Sequence, residues 1–244
     1  MTKLLTSVRN LDEAKIVCRA GSDWLDLKEP NDGALGAVSH ETIAEVVTWA
    51  DLHAPAIPIS ATIGDCWDDP SCMPEKVRLV SQHGVDYVKV GIYADELPPA
   101  LTSAIRNSIA AHANLIVLCF AEKPPTAEAI RQIAKLGAKG LMLDTAEKKT
   151  GRLTEKMTPR EIVDFVAKVQ ELGCLCGIAG SLQEADVNRL VDSGADYLGF
   201  RGALCTQGER VGDIAEAHVA RLKEKMQKCL ALKSTKQFKA NENA

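Results

Sequence analysis

Charged residues occur within or directly after several apolar runs of this 244-residue chain. WLDLK carries Asp26 and Lys28, YVKVG carries Lys89, and GLMLD ends at Asp144, four residues before Lys148. Burying an isolated ion is costly, so each charge beside an apolar run must be paired or functional. Two lysines that share one pocket repel each other, which lowers the pKa of one of them. A partly neutral lysine is the group that forms a Schiff base with a carbonyl.

The two aspartates are candidates for proton transfer, and a lysine that forms no imine would stabilise a developing oxyanion. The alternative is that each lysine pairs with a neighbouring acid at the end of a strand. Three lysines and two aspartates in corresponding positions favour a functional cluster, because structural ion pairs have no reason to collect in one place.

Two further segments have the residues of a phosphate site. Gly180 and Ser181 follow one apolar run, and Arg201 and Gly202 follow another. Glycine turns expose backbone N–H groups that bind phosphate, and Arg201 is a candidate phosphate ligand. The alternatives are that Ser181 caps a helix together with Glu184, which is compatible with phosphate binding, and that Arg201 forms a surface ion pair.

Other polar residues have weaker patterns. Ser60 and Thr62 alternate with apolar residues and are typical of barrel filling. Cys174 and Cys176 form a C-x-C without a second pair, and the five histidines lack the spacing of metal ligands. Cys205 has no accompanying histidine base. The sequence therefore predicts no metal site.

The elements that position these residues alternate regularly. Eight strand-like segments cover 3–8, 21–28, 57–64, 84–91, 115–120, 137–144, 174–180 and 194–201. Helical patterns cover 10–20, 39–52, 74–83, 97–112, 126–136, 158–172, 182–193 and 213–229, and Thr158 with Glu161 forms a capping box. One strand and one helix per roughly 30 residues predicts an α/β fold, a single (β/α)8 TIM barrel. The alternative, a doubly wound open sheet, lacks its G-x-G-x-x-G turn.

Composition limits the partners. The net charge is −4 with no basic run, which argues against nucleic acid and anionic membranes, and no run approaches the roughly 20 apolar residues of a membrane span. We expect a cytoplasmic protein with free thiols, and a homo-oligomer is compatible with the sequence. Residues 1–230 are expected to form the barrel domain and residues 231–244 a disordered polar tail.

Six motifs in this order and spacing resemble one known family. They are DLKEPNDGALGA, ISATIGD, YVKVGIY, MLDTAEKKTG, GIAGS and FRGALC followed by GER. They are similar to those of (5-formylfuran-3-yl)methyl phosphate synthase, also called 4-(hydroxymethyl)-2-furancarboxaldehyde-phosphate synthase, an enzyme of methanofuran biosynthesis. The resemblance runs from about residue 3 to about residue 225.

The resemblance implies a barrel enzyme that condenses two molecules of glyceraldehyde 3-phosphate into a furan aldehyde phosphate, losing one phosphate and two waters, without a metal or redox cofactor. It implies that Lys28 of the D-x-K-x-P motif forms the Schiff base. Lys89, Asp144 and Lys148 match the other functional positions, although Lys149 offers a second register for the last one.

Three other functions fit part of the pattern. DLKEPND is similar to the D-x-K-x-x-D motif of orotidine-phosphate-decarboxylase-type barrels, where lysine is a proton donor, but Asn31 occupies the last position. A class I aldolase would use the same lysine for cleavage. A non-catalytic sugar-phosphate-binding barrel would need the Ser181 and Arg201 loops but not the lysines.

Overall fold

The computed structural model describes residues 1–111, 114–147 and 150–241. Within these residues, eight parallel strands close into one barrel in chain order, and β8 pairs with β1. The strands are β1 Lys3–Val8, β2 Trp24–Leu27, β3 Ile59–Thr62, β4 Tyr87–Ile92, β5 Leu115–Phe120, β6 Gly140–Asp144, β7 Leu175–Ile178 and β8 Tyr197–Phe200. The predicted (β/α)8 barrel is confirmed.

Helices surround the barrel and cover its outer face. In the described ranges they are α1 Leu11–Arg19, α2 His40–His53, α3 Met73–Ser81, α4 Pro99–Ala110, α5 Ala127–Leu136, a short α6 Leu153–Lys156, α7 Pro159–Glu171, α8 Val187–Asp192 and α9 Glu216–Asn241. The capping box of Thr158 and Glu161 starts α7 as predicted. None of the described helices is both long enough and apolar enough to cross a membrane.

The interior of the barrel is a packed core below a polar layer. Leu5, Leu118 and Met142 are buried there with Tyr197 and Trp24, whose ring centroids lie 4.9 Å apart. Side chains two residues apart on a strand share a face, so Asp26 lies on the same interior face as Trp24. The strand pattern thus places an acid directly above the aromatic floor.

The segment between β7 and α8 differs from the prediction. Ser181 has φ of 51° and the preceding Gly180 has φ of 109°, both in the left-handed region. These residues turn the chain before a 3₁₀ turn at Glu184–Asp186 and then α8. Gln183, not Ser181, caps this turn, and its N–H donates to Asp186 Oδ2 over 2.8 Å. The predicted cap of Ser181 and Glu184 is therefore wrong.

The last helix also differs from the prediction, because it continues through Asn241 where a disordered tail was expected from residue 231. Residues 231–241 contain neither glycine nor proline and include good helix formers such as lysine, alanine and glutamine. Lys233 Nζ donates to the carbonyl oxygens of Val191 and Asp192 at the end of α8, over 3.1 and 3.2 Å. Residues 242–244 lie outside the described residues.

Candidate active site

A cavity of about 850 Å³ opens at the carboxyl ends of the strands. Most of the predicted site residues line it: Asp26, Lys28, Lys89, Asp144, Gly180, Ser181, Arg201 and Gly202. Lys148 lies outside the described residues. The strands are parallel, so their carboxyl ends meet at one rim, which is where barrel enzymes build their sites.

The deeper part of the cavity holds an ion pair between β2 and β4. Lys89 Nζ lies 2.8 Å from Asp26 Oδ1, and both side chains are buried. Within the described residues, the Lys89 ammonium is held by the charge of Asp26 and by the face of the Tyr197 ring, whose centroid lies 5.9 Å away. Asp26 accepts hydrogen bonds from Ser60 Oγ over 2.8 Å and from Ser7 Oγ over 3.0 Å.

Burial and charge act in opposite directions on this pair. Burial by itself would raise the pKa of Asp26, but the ammonium groups of Lys89 and Lys28 outweigh it, and the Asp26 pKa lies below its ordinary value. Burial lowers the pKa of Lys89, which the Asp26 carboxylate offsets only in part. The expected repulsion from Lys28 contributes to this lowering, but burial is the larger cause.

The upper part of the cavity holds a second, looser pair. Lys28 Nζ donates to Asp144 Oδ2 over 3.5 Å, and Lys28 keeps 7% of its surface exposed whereas Lys89 has none. Asp144 Oδ1 accepts the backbone N–H of Thr145 over 2.7 Å, which fixes the carboxylate at the end of β6. Of these two lysines, Lys28 is therefore the one that is accessible from the cavity.

Arg201 was predicted to bind phosphate, but in the structure all five N–H groups of its guanidinium donate to other groups of the protein. Two donate to the Glu13 carboxylate, and the others donate to the carbonyl oxygens of Ser7, Arg210 and Gly212 over 3.0 to 3.1 Å. The buried guanidinium thus ties the loop after β8 to β1 and α1.

Sequence reasoning missed a second arginine in the same loop. Arg210 lines the cavity, is half-buried, and donates through Nη2 to the carbonyl oxygen of Gly33 over 2.7 Å. Burial lowers the pKa of this guanidinium. The only sequence signal for Arg210 was its place in the GER motif. Ser7 was also missed, because a single serine in an apolar strand has no distinctive pattern.

The two glycine turns form part of the cavity wall. Gly180 lies against the loop after β6, where a Cβ would come within 3.0 Å of both Leu153 Cβ and Thr145 Cγ2. A Cβ on Gly202 would lie 3.8 Å from the Cα of Arg210. Both turns leave backbone facing the cavity, as a phosphate site requires. In the described part of the chain, no three histidine, cysteine or acidic side chains are grouped as metal ligands.

The fold and the cavity define a (β/α)8-barrel enzyme with paired lysines and aspartates at the carboxyl ends of its strands. The sequence model of the family described as 4-HFC-P synthase matches residues 4–223. The chain belongs to this family, the (5-formylfuran-3-yl)methyl phosphate synthases.

Curated relatives agree with this placement, and a solved structure shares the fold. The chain is 32% identical over 234 residues to (5-formylfuran-3-yl)methyl phosphate synthase of Methanosarcina barkeri, covering 90% of this chain and 97% of the relative. It is 30% identical over 233 residues to the enzyme of the same name from Methanopyrus kandleri, covering 90% and 96%. The crystal structure of 3-hexulose-6-phosphate synthase from Salmonella typhimurium shares the fold, with a TM-score of 0.61, 15% identity and coverage of 92% and 100%.

Proposed function

We propose that this protein condenses two molecules of glyceraldehyde 3-phosphate into 4-(hydroxymethyl)-2-furancarboxaldehyde phosphate through a Schiff base on Lys28, in methanofuran or methylofuran biosynthesis. Two three-carbon trioses supply the six carbons of the product, and one phosphate and two waters leave. The observation that carries the proposal is the pairing of Lys28 with Asp144 at 3.5 Å in the cavity of a family member.

Lys28 is the better nucleophile by position. Lys89 is fully buried against Asp26, whereas Lys28 retains exposed surface at the cavity. Asp144 can accept the proton that Lys28 must lose before its nitrogen attacks the aldehyde carbon. The resulting carbinolamine loses water to form an iminium ion, which acidifies the neighbouring carbon.

That acidity permits elimination of phosphate and addition of the resulting carbon nucleophile to a second triose. Asp26, Asp144 and Lys89 are the groups proposed to move protons during the dehydrations. The lowered pKa of Asp26 keeps its carboxylate ionised at neutral pH, so Asp26 would enter the reaction without a proton to donate. The lowered pKa of Lys89 makes its ammonium a readier proton donor than an ordinary lysine. The retained phosphate would lie against the Gly180, Ser181 and Gly202 turns.

Borohydride trapping tests the imine directly. We expect that, after the protein is treated with borohydride in the presence of glyceraldehyde 3-phosphate, mass spectrometry will find a reduced adduct on Lys28. Lys28→Ala should show neither adduct nor turnover while keeping the native circular-dichroism spectrum. Lys168→Ala, which removes an exposed lysine of α7, is the control and should behave as wild type.

Product formation is followed by the near-ultraviolet absorbance of a furan aldehyde, with triose phosphate as the sole substrate. An enzyme that makes this product while Lys28 stays unmodified, or full activity of Lys28→Ala, would refute the imine at this residue. An adduct on Lys28 without the absorbance would instead indicate an aldolase. Binding without adduct or product would indicate a non-catalytic sugar-phosphate barrel.

A further inference from the structure

Two arginines follow β8, and their hydrogen bonds separate their roles. A guanidinium has five N–H donors. All five donors of Arg201 are already used by protein acceptors, whereas the guanidinium of Arg210 donates a single hydrogen bond to the described residues, the one to Gly33. Arg201 could bind a phosphate only by giving up one of its own contacts, and Arg210 needs to give up none.

Arg210 also has no direct ion pair, although the Asp144 and Glu29 carboxylates are near enough to offset part of the lowering of its pKa by burial. Across the described ranges, no carboxylate lies within 4.0 Å of its guanidinium, although it is half-buried at the cavity wall. The other cations of the cavity differ in this respect, since Lys28 pairs with Asp144, Lys89 with Asp26 and Arg201 with Glu13. A partly desolvated guanidinium with unused donors in a planar fork is suited to bind a phosphate in a bidentate manner.

Arg210 lies beside the glycine turns that are predicted to bind phosphate. Its Cα and Cβ lie 3.8 Å from where a Cβ on Gly202 would be, so the two residues share one wall. Gly180 and Ser181 line the same cavity. Its bond to Gly33 places the guanidinium between the loop after β8 and the loop after β2, which carries Lys28 at its start.

Arg201 holds the backbone that presents Arg210. Arg201 Nε donates to the carbonyl oxygen of Arg210 itself over 3.0 Å, and Nη2 donates to that of Gly212 over 3.1 Å. The other end of Arg201 is anchored on Ser7 and Glu13. The loop from 206 to 212 is thereby tied to the barrel wall.

We infer that Arg210 is the guanidinium ligand of the triose phosphate group, and that Arg201 is a positioning residue that acts through the backbone of Arg210. The inference rests on the proposed function only for the identity of the phosphorylated substrate. Two N–H groups of Arg210 would donate to two phosphate oxygens, while the turn at Gly202 would leave room for the third.

Binding of glycerol 3-phosphate measures the contribution of Arg210 to phosphate binding without turnover, because the compound carries the phosphate but no carbonyl. We expect Arg210→Gln to weaken its binding about tenfold or more in isothermal titration calorimetry, as loss of a charge-assisted hydrogen bond predicts. Arg210→Lys should be intermediate. Arg131→Gln, which removes an exposed arginine of α5 paired with Glu128, is the control and should bind as wild type.

Unchanged binding by Arg210→Gln would overturn the inference, whether or not the protein makes a furan product. Absence of furan product from the wild-type enzyme, together with tenfold weaker binding of glycerol 3-phosphate by Arg210→Gln, would instead leave Arg210 assigned and challenge only the reaction. The two failures are therefore distinguishable.

A double-mutant cycle tests the positioning role. We expect Arg201→Lys to weaken glycerol 3-phosphate binding, and the double variant with Arg210→Gln to bind no more weakly than Arg210→Gln alone. Additive losses would show that Arg201 contacts the ligand itself. If Arg201→Lys does not fold, Glu13→Gln replaces it in the cycle, because it weakens the anchor of Arg201 and leaves the guanidinium present.

Discussion

Asp26 balances the charge inside the barrel. Its carboxylate lies between the hydroxyl groups of Ser7 and Ser60 from the two neighbouring strands, and it faces the ammonium of Lys89. Removing one member of a buried pair leaves an uncompensated charge, which costs more than replacing both members. The stability of the barrel therefore depends on both members of this pair being present.

Lys89→Met should lower the free energy of unfolding by about 3–5 kcal/mol at neutral pH. The deficit should widen as pH rises, for two reasons. In the wild type the folded pKa of Lys89 lies below 10.5, so the unfolded chain binds more protons and stability increases with pH up to that value. In the variant, burial raises the pKa of the unpaired Asp26, so stability falls as pH rises above 3.8. Urea denaturation at about pH 5 and about pH 9 measures both slopes.

The control for this prediction is Lys89→Met combined with Asp26→Asn. The amide oxygen of asparagine can still accept from Ser7 and Ser60, and no buried charge remains. We expect this double variant to be more stable than Lys89→Met alone and to lose the pH dependence. A double variant that loses the sum of the two single effects would contradict the pairing.

At the scale of elements, the loop after β2 has to bring Lys28 to the cavity and then return into the barrel. Leu35 is fully buried and lies against Gly91 of β4, where a Cβ would come within 2.1 Å of Leu35 Cδ1. The carbonyl oxygen of Gly36 accepts from the N–H of Glu29 over 2.9 Å and from Thr62 Oγ1 over 2.7 Å. These contacts fix the loop beside Lys28, the amine proposed to form the imine.

Gly36→Ala should displace this loop, because its Cβ would lie 2.2 Å from the carbonyl oxygen of Glu29. Backbone atoms cannot rotate away as a side chain can. We expect kcat to fall by roughly 100-fold, since a displacement of about 1 Å can cost that much. The free energy of unfolding should fall by about 1–3 kcal/mol.

The matched control is Gly140→Ala, whose Cβ would lie 2.8 Å from the carbonyl oxygen of Leu175 at the amino end of β6. It introduces similar crowding at the end of the barrel away from the site. We expect Gly140→Ala to lose stability but keep kcat. Equal kcat values for the two variants would argue against loop placement as the cause.

At the scale of the whole molecule, α9 joins the two ends of the chain. Its own side chains Val219, Leu222 and Met226 are buried against the barrel. Lys223 of the same helix pairs with Asp23, whose carboxylate also accepts the N–H of Leu4 in β1. Arg221 pairs with Glu184 near the start of α8. The first half of this helix is therefore part of the barrel, although it follows the last strand.

Two truncations separate the parts of α9. A chain that ends at Thr235 should unfold at the temperature of the full chain, because it keeps the three buried side chains of α9 and the contacts of Lys233 with the end of α8. A chain that ends at Ala215 loses three buried side chains worth roughly 1.5–3 kcal/mol each, a large part of a typical domain's stability. We expect no cooperative thermal transition for it by circular dichroism. A native-like transition in the shorter chain would show that α9 is dispensable.

The sequence by itself determined the barrel and brought most of the charged residues of the cavity to one rim. Asp26, Lys89 and Asp144 each lie in an apolar run that is followed by a helical pattern. Such runs form parallel strands, and the carboxyl ends of these strands must converge. That convergence follows from topology alone, so side chains more than 100 residues apart could be placed in one cavity before any distance was known. Lys28 follows β2 directly, and its placement came with that strand.

Only the tertiary structure decided which groups pair and which donors remain available. The pairing of Lys89 with Asp26 and of Lys28 with Asp144 depends on the depth of each side chain in the barrel. The partners of Arg201 include residues 188 and 194 positions away, so its saturation, and the availability of Arg210, cannot be read from local sequence. Hydrogen-bond satisfaction and burial are properties of the packed chain, because each depends on neighbours that the fold brings together.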